Sequence, residues 1–354
     1  MNVESRRQTA EAFIFAKEEN MSIRYRPLAK LGMVLRSHAD EDHPDNIIYA
    51  EGIDYVVDYD RGVIRRTKQS RIPDWSRHEL YGQTVFDHAT FKNCSNREFT
   101  VYGDYVYDSD PFTEFFVAHD SGNRARVERL LSKLRTGEES SIVVFGDSIS
   151  AGGEASEEKF MYFNRVHQFL NDYYPRSRIC LLNKSVGGET SKDGKNRIQR
   201  DVIPLCPDLV IIGFGMNDQN KYGEELGVSP EDFESNLCQM IEAVKKLDNC
   251  DLVLVTPCLP NPKWWYASGL TGTYAEIIRR LGREYGAGVA DVTAVWEQEL
   301  EAGKLPESLL LNNINHPNDY GHWLYFQAFV PLLRDHLEFT KPAAQHSETP
   351  HTYF

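Results

Sequence analysis

The 354 residues predict an α/β protein: a three-layer domain with a flavodoxin-like parallel sheet of about five strands over 123–340, preceded by a smaller β-sandwich of jelly-roll type over 1–122. Two changes of texture carry this expectation. After residue 122, near-continuous apolar runs alternate with helical patterns, as in a parallel sheet covered on both faces. Before it, short aromatic and β-branched alternations are broken by turn signals. With 41% apolar and 26% charged residues, the chain can bury a sizeable core.

Taken in order, residues 3–19 carry enough helix formers to suggest an extra N-terminal helix within the β-sandwich region. Residues 46–67 read as short strands around a turn at Asp60-Arg61-Gly62, and 98–109 as a strand pair or one long bent strand. Val127, Leu130, Leu131 and Leu134 recur at helical spacing, and Gly137 supplies the stop. Strands are expected at 141–146, 178–183, 208–215, 251–257 and 288–292, with helices near 157–172, 230–247 and 273–285. A last helix runs through 323–337 with Asn318 as its cap, and 341–354 reads as a disordered tail.

Charge excludes several functions. With 39 basic and 53 acidic side chains the net charge is −14, and no basic arm is present, so neither nucleic acid nor an anionic membrane is an expected partner. The first twenty residues lack the apolar core of a signal peptide, and no run is long enough to span a bilayer. The six cysteines form no CxxC pair, and Cys180 and Cys258, in or beside apolar runs, are expected as buried thiols. The expectation is a cytoplasmic protein with free thiols, no metal and no cofactor. His38 and His43 lie in a charged stretch that is more simply a solvated loop than a metal site. The aromatic strands of the β region need covering, by a second sheet of their own or by a second subunit in a homo-oligomer.

Active sites of open parallel sheets form at the carboxyl ends of the strands. The first run ends in Gly146-Asp147-Ser148-Ile149-Ser150, the second leads to Gly187-Gly188-Glu189, and the third ends in Gly215-Met216-Asn217-Asp218. Near the C-terminus stands Asn313-Ile314-Asn315-His316-Pro317-Asn318. A serine on a glycine-flanked strand-to-helix turn can present its hydroxyl above the sheet. Alone, such a turn is more simply a capped βα connection. Ser150 occupies the place where a G-x-S-x-G elbow wants glycine, and the ending is not that of a phosphate-binding loop.

Together the four segments resemble the SGNH (GDSL-type) hydrolase superfamily over roughly residues 140–336. The resemblance implies that Ser148 is the nucleophile and His316 the general base. It also implies that Gly188 and Asn217 complete an oxyanion hole with the Ser148 amide. The chemistry is consistent: histidine titrates near neutrality and can take and return the serine proton, while a glycine N–H and an asparagine amide donate without titrating. One position departs from the family. Asn313 stands where the family usually has an aspartate that orients the histidine. Three outcomes are open: a Ser–His dyad helped by Asn313 or a backbone carbonyl, an acid recruited from elsewhere, or reduced activity. The dyad is favoured, since some SGNH carbohydrate esterases work without the aspartate.

His322, Asp218 and Asp319 have sufficient structural explanations as packing, loop-bonding and helix-dipole residues. Asp147 can bond loop amides, and is also counted with Trp264 and Trp265 as a substrate-side residue. The two tryptophans, with Tyr266, follow the fourth strand; they can stack on sugar rings or pack against the β region. A β domain joined to an SGNH domain is similar to certain carbohydrate acetylesterases. The expected function is hydrolysis of short acyl esters, most specifically removal of acetyl groups from oligosaccharides through an acyl-enzyme on Ser148. Alternatives are a general short-chain esterase, thioesterase or lysophospholipase, and a non-catalytic carbohydrate-binding or assembly protein with a vestigial site.

Overall fold

The computed structural model describes residues 4–109 and 124–333. The expected boundary at 122/123 and the tail at 341–354 lie outside the described residues.

The first part is antiparallel. Its strands are β1 (Glu4–Ile14), β2 (Met21–Ser22), β3 (Met33–Arg36), β4 (Ile48–Tyr49), β5 (Tyr55–Asp58), β6 (Val63–Arg66) and β7 (Thr100–Ser109). They form one sheet in the order β1-β7-β3-β4 and another in the order β2-β6-β5. Phe13, Leu35, Tyr55, Ile64 and Tyr105 close a shared core, so each sheet covers the other. The expected strands at 46–67 are present, with Gly62 in the left-handed region that the turn requires (φ 63°). The 98–109 segment gives one long strand, β7.

The N-terminal helix is corrected. Residues 4–14 are a strand paired antiparallel with β7, with a bulge between Gln8 and Glu11. Pairing satisfies the backbone and buries Phe13 between the sheets, and this outweighs the helix propensity of its Ala, Glu and Arg residues.

The second part is a five-stranded parallel sheet built from β8 (Glu139–Gly146), β9 (Arg178–Asn183), β10 (Leu209–Gly213), β13 (Asp251–Val255) and β14 (Gly288–Ala290). A small hairpin, β11 (Lys221–Tyr222) and β12 (Glu225–Leu226), intervenes. The helices are α1 (Glu128–Thr136), α2 (Tyr162–Tyr173), α3 (Ser191–Asp201), α4 (Pro230–Lys245), α5 (Thr271–Tyr285), α6 (Val292–Glu301), α7 (Pro306–Leu309) and α8 (Asp319–Leu333). Gly137 ends α1 in the left-handed region as expected (φ 79°). Alternation along β8 sorts the core. Ile142 and Val144 face α1, α2, α6 and α8, whereas Val143 and Phe145 face α3, α4 and α5. Cys258 is buried, but Cys180 is exposed, because β9 is an edge strand and alternate residues leave the core.

Strand order β14-β13-β10-β8-β9 places β8 between its two sequence successors. The chain reverses its direction of winding there, which opens a crevice above the carboxyl end of β8. Ser148 lies two residues beyond that end. No helix among the described residues is long and apolar enough to cross a membrane.

The two parts are joined by buried charge. Glu11 and Lys304 form a fully buried ion pair, and Arg24 pairs with Glu299 at 2.5 Å. The Lys304 ammonium also donates to the Ala12 carbonyl at 3.0 Å and sits 3.7 Å above the Phe13 ring. Tyr320 donates to Glu299 at 2.8 Å, and Tyr105 donates to Glu11. Two cations thus balance two carboxylates at the contact.

Removing one member of such a pair leaves an uncompensated buried charge, whereas replacing both with apolar groups of similar volume is close to neutral. Lys304→Met is expected to cost about 3–5 kcal/mol, seen as a lowered denaturation midpoint. Lys304→Met combined with Glu11→Leu should recover part of that loss, the remainder reflecting the buried Tyr105 hydroxyl left without its acceptor. An unchanged midpoint in the single variant would contradict the buried pairing.

Candidate active site

The nucleophile turn is built by close approach. A Cβ at Gly146 would collide with the Gly213 carbonyl oxygen, so only glycine lets β8 and β10 run this close at the crevice floor. The Asp147 amide donates to the same carbonyl at 3.2 Å, and the Asp147 carboxylate accepts the Ile149 amide at 3.0 Å. Asp147 is buried, and burial pushes its carboxyl up to about 7. It braces the turn from beneath and does not face substrate, which corrects its substrate-side assignment. Asp218 is similarly structural: it accepts the Ser191 and Gly215 amides, tying the second and third loops together.

Above this floor the four sequence segments meet. The Ser148 hydroxyl lies 2.8 Å from His316 Nε2. With the proton on Nδ1, the ring accepts the hydroxyl hydrogen and acts as its base. A Cβ at Gly187 would stand 3.8 Å from the Ser148 Cβ, so the glycine loop lies against the nucleophile. Gly188 adopts φ 81°, open to glycine without strain. Among the described residues, the Ser148 and Gly188 amides donate to no protein group. One hydrogen of the Asn217 side-chain amide is committed to the Glu189 carbonyl at 2.8 Å, which anchors the group and leaves its second hydrogen to donate. The three groups that the sequence resemblance assigns to an oxyanion hole thus each keep a hydrogen free to donate. Losing one such donor typically costs about 2.7–4 kcal/mol of transition-state stabilisation.

The histidine loop is organised by asparagines. Asn312 Oδ1 accepts the amides of Ile314, Asn315 and His316, each at 2.9 Å. The Leu311 amide donates to the His316 carbonyl, closing the loop. Asn318 Oδ1 then caps α8 by accepting the Gly321 amide at 2.9 Å, as expected. His322, one turn into α8, is buried and bonds the Gly153 carbonyl at 3.1 Å, in keeping with its packing role. Asp319 accepts the Ser156 amide and hydroxyl.

Asn313 points away from the catalytic ring. Its side-chain amide donates to Asn96 Oδ1 at 2.6 Å and to the Cys94 carbonyl at 3.1 Å, both in the antiparallel part. Its Oδ1 accepts no hydrogen bond among the described residues, so it does not orient His316 in that way. Asn96 is itself fully buried and saturated. It donates to the carbonyls of Glu307 and Leu310, accepts from Trp75 Nε1 at 2.7 Å, and gives its backbone amide to the Leu311 carbonyl. An aspartate at 313 would face two acceptors and have nothing to donate. Asparagine also suits the left-handed backbone at this position (φ 59°).

Of the two tryptophans, only Trp265 is available to substrate. Trp264 is buried against Ile14, Trp75, Leu80 and Phe86, and its indole donates to His88. The alternative of packing against the β region thus wins for this residue. Trp265 remains 56% exposed, with Tyr222 of the β11–β12 hairpin 58% exposed. The two are linked through the Lys221 amide, which donates to the Tyr266 carbonyl, and by the Lys221 ammonium 5.8 Å from the Trp265 ring. Sequence reasoning missed Asn96, Asn312 and the β11–β12 hairpin. The cluster of four asparagines at 312–318 was the available signal for Asn312; nothing local marks Asn96.

Two outcomes follow. Asn313→Asp, although it restores the family residue, should lower both the thermal midpoint and kcat, because it removes two buried hydrogen bonds and introduces an unpaired charge. A variant as stable as the parent and faster would contradict this geometry. Burial lowers the His316 pKa, with the carboxylate of Glu154 opposing the shift. A base must be neutral to act, so the acid limb of kcat/KM should fall below the ordinary histidine value of about 6.5. A limb at or above that value would contradict the burial of the ring.

The pattern of the GDSL-like Lipase/Acylhydrolase family matches residues 144–324, just over half the chain. An acetylxylan esterase from Geobacillus stearothermophilus is 26% identical over 219 residues, covering 56% of this chain and 94% of that protein. A thioesterase 1/protease 1/lysophospholipase L1 from Escherichia coli is 26% identical over 156 residues, covering 44% and 68%. Among solved structures, a two-domain esterase active on acetylated mannans is 24% identical with a TM-score of 0.49, covering 60% of this chain and 54% of that one. With the serine, glycine, asparagine and histidine of the four segments assembled around one point, the chain belongs to the GDSL-like lipase/acylhydrolase family and is a carboxylic ester hydrolase.

Proposed function

We propose that the protein removes acetyl groups from short carbohydrates through an acyl-enzyme on Ser148. The 2.8 Å contact between Ser148 Oγ and His316 Nε2 carries the reading. The hydroxyl attacks the acetyl carbonyl carbon as its proton passes to His316. The oxyanion is received by the Ser148 and Gly188 amides and the Asn217 side chain. Collapse expels the sugar hydroxyl, which takes the proton from His316, and acetyl remains on Ser148. Water then attacks, giving its proton to His316; acetate leaves, and Ser148 recovers its hydrogen.

The exposed Trp265 and Tyr222 support a sugar substrate. Both follow carboxyl ends of sheet strands, on the edge where Ser148 stands. Flat aromatic faces bury the apolar faces of pyranose rings well. The similarity to an acetylxylan esterase over nearly that protein's whole length points the same way. The intact serine–histidine contact disfavours a vestigial, purely binding role.

The test is acetate release from acetylated xylo- and manno-oligosaccharides, with nitrophenyl acetate and octanoate alongside. Sugar-dependent release, abolished by Ser148→Ala, is the expected result. Trp265→Ala should raise KM for the oligosaccharide about 5–10-fold, a stacking contribution of about 1 kcal/mol, and leave nitrophenyl acetate hydrolysis unchanged. Faster cleavage of octanoate or of thioesters, with no release from any sugar, would favour a general esterase or thioesterase.

A further inference from the structure

We propose that Glu154 supplies the negative charge that position 313 does not, acting on His316 from the nucleophile's own loop as a positioning residue. The proposal rests on the Ser148–His316 chemistry above. Asn313 is committed to Asn96 and Cys94, and His316 Nδ1 makes no hydrogen bond to any described residue. The ring that must become an imidazolium therefore has no carboxylate bonded behind it.

The loop after Ser148 wraps around that ring. The Gly153 amide donates to the Ser148 carbonyl at 2.9 Å. A Cβ at Gly153 would stand 2.9 Å from the Ser148 carbonyl oxygen and 3.4 Å from both Nδ1 and Cε1 of His316. Glycine thus brings the backbone against the Nδ1 edge of the imidazole. The next residue is Glu154, with φ 67°. Holding a non-glycine side chain in the left-handed region costs about 1 kcal/mol or more, and such strain concentrates at functional sites. Two anchors hold the segment: Ser156 is bonded to Asp319 on α8, and Arg97 of the antiparallel part pairs with the Glu154 carboxylate at 3.2 Å.

The other charged and titratable groups around the ring do not replace it. Asp147 lies beneath the turn, turned toward the Ile149 amide. Asp319 is buried and occupied by Ser156 and Tyr102. His322 is kept neutral by burial, its pKa lowered to about 4. Arg97 pairs with Glu154 at 3.2 Å, which holds that carboxylate in place. As Ser148 gives up its proton, the charge on His316 forms against the Gly153 backbone, one residue before this carboxylate.

The experiment compares wild type, Glu154→Gln and Glu154→Gly by NMR titration of the His316 ring and by pH–rate profiles. In both variants the ring titration and the acid limb should move to lower pH, by about half a unit for a partly exposed, arginine-paired charge. The plateau kcat should fall about 10-fold, with KM unchanged. Glu154→Gly also relieves the left-handed backbone, so its thermal midpoint should equal or exceed that of wild type. An unchanged His316 titration in both variants would overturn the proposal. So would full activity in Glu154→Gly with loss only in Glu154→Gln, the mark of a purely conformational role. The ring titration needs no turnover, so it decides the role of Glu154 even if Ser148 proves not to hydrolyse acetylated sugars.

Discussion

One hydrogen bond, between side chains 168 residues apart, is what the rest of the structure serves. Ser148 Oγ and His316 Nε2 must meet within a few tenths of an ångström for proton transfer to occur, and neither residue lies on a rigid element. The serine sits on a turn just past β8, and the histidine on an irregular loop ahead of α8. The sheet provides the floor, since close approach of β8 and β10 at Gly146 places the turn above the crevice. The loop carrying His316 gets its shape from Asn312 and its location from outside the α/β layers.

That outside support is the antiparallel part. Asn96 reaches into the catalytic domain and bonds the backbone of residues 307, 310 and 311 as well as the side chain of Asn313. The Glu11–Lys304 and Arg24–Glu299 pairs register the two parts a short distance away. Buried polar groups that lose their partners are costly, so these contacts favour one relative placement and penalise others. The residue at 313 makes sense in these terms. It serves as a donor across the contact rather than on the imidazole, and under our proposal the missing charge falls to Glu154, which pairs with Arg97.

Much of this was legible in the sequence because it rests on periodicity and on short motifs. The five parallel strands, the helices at 124–137, 230–247 and 273–285, the antiparallel front end and the four catalytic segments all read directly. Local propensity failed where pairing with distant chain decided the outcome. Residues 4–14 look helical in isolation and become a strand only because β7 is there to receive them. Cys180 was misread because an edge strand cannot be told from a central one by its own residues. Asn313 was recognised as a departure, but its partners, Cys94 and Asn96, are more than 200 residues away. The same holds for Trp264, whose covering residues come from the antiparallel part. The sequence left both tryptophans free to stack on sugar or pack against the β region; only the fold told which of them packs there.

The most direct test of the account is to trap the covalent intermediate. Wild-type protein mixed with an acetylated oligosaccharide, quenched in acid within milliseconds and digested, should yield a peptide containing Ser148 that carries one acetyl group. The adduct should be absent from Ser148→Ala and should accumulate when the histidine is weakened. Acetate release in bulk with no acetyl on Ser148, or an adduct on another residue, would contradict the mechanism.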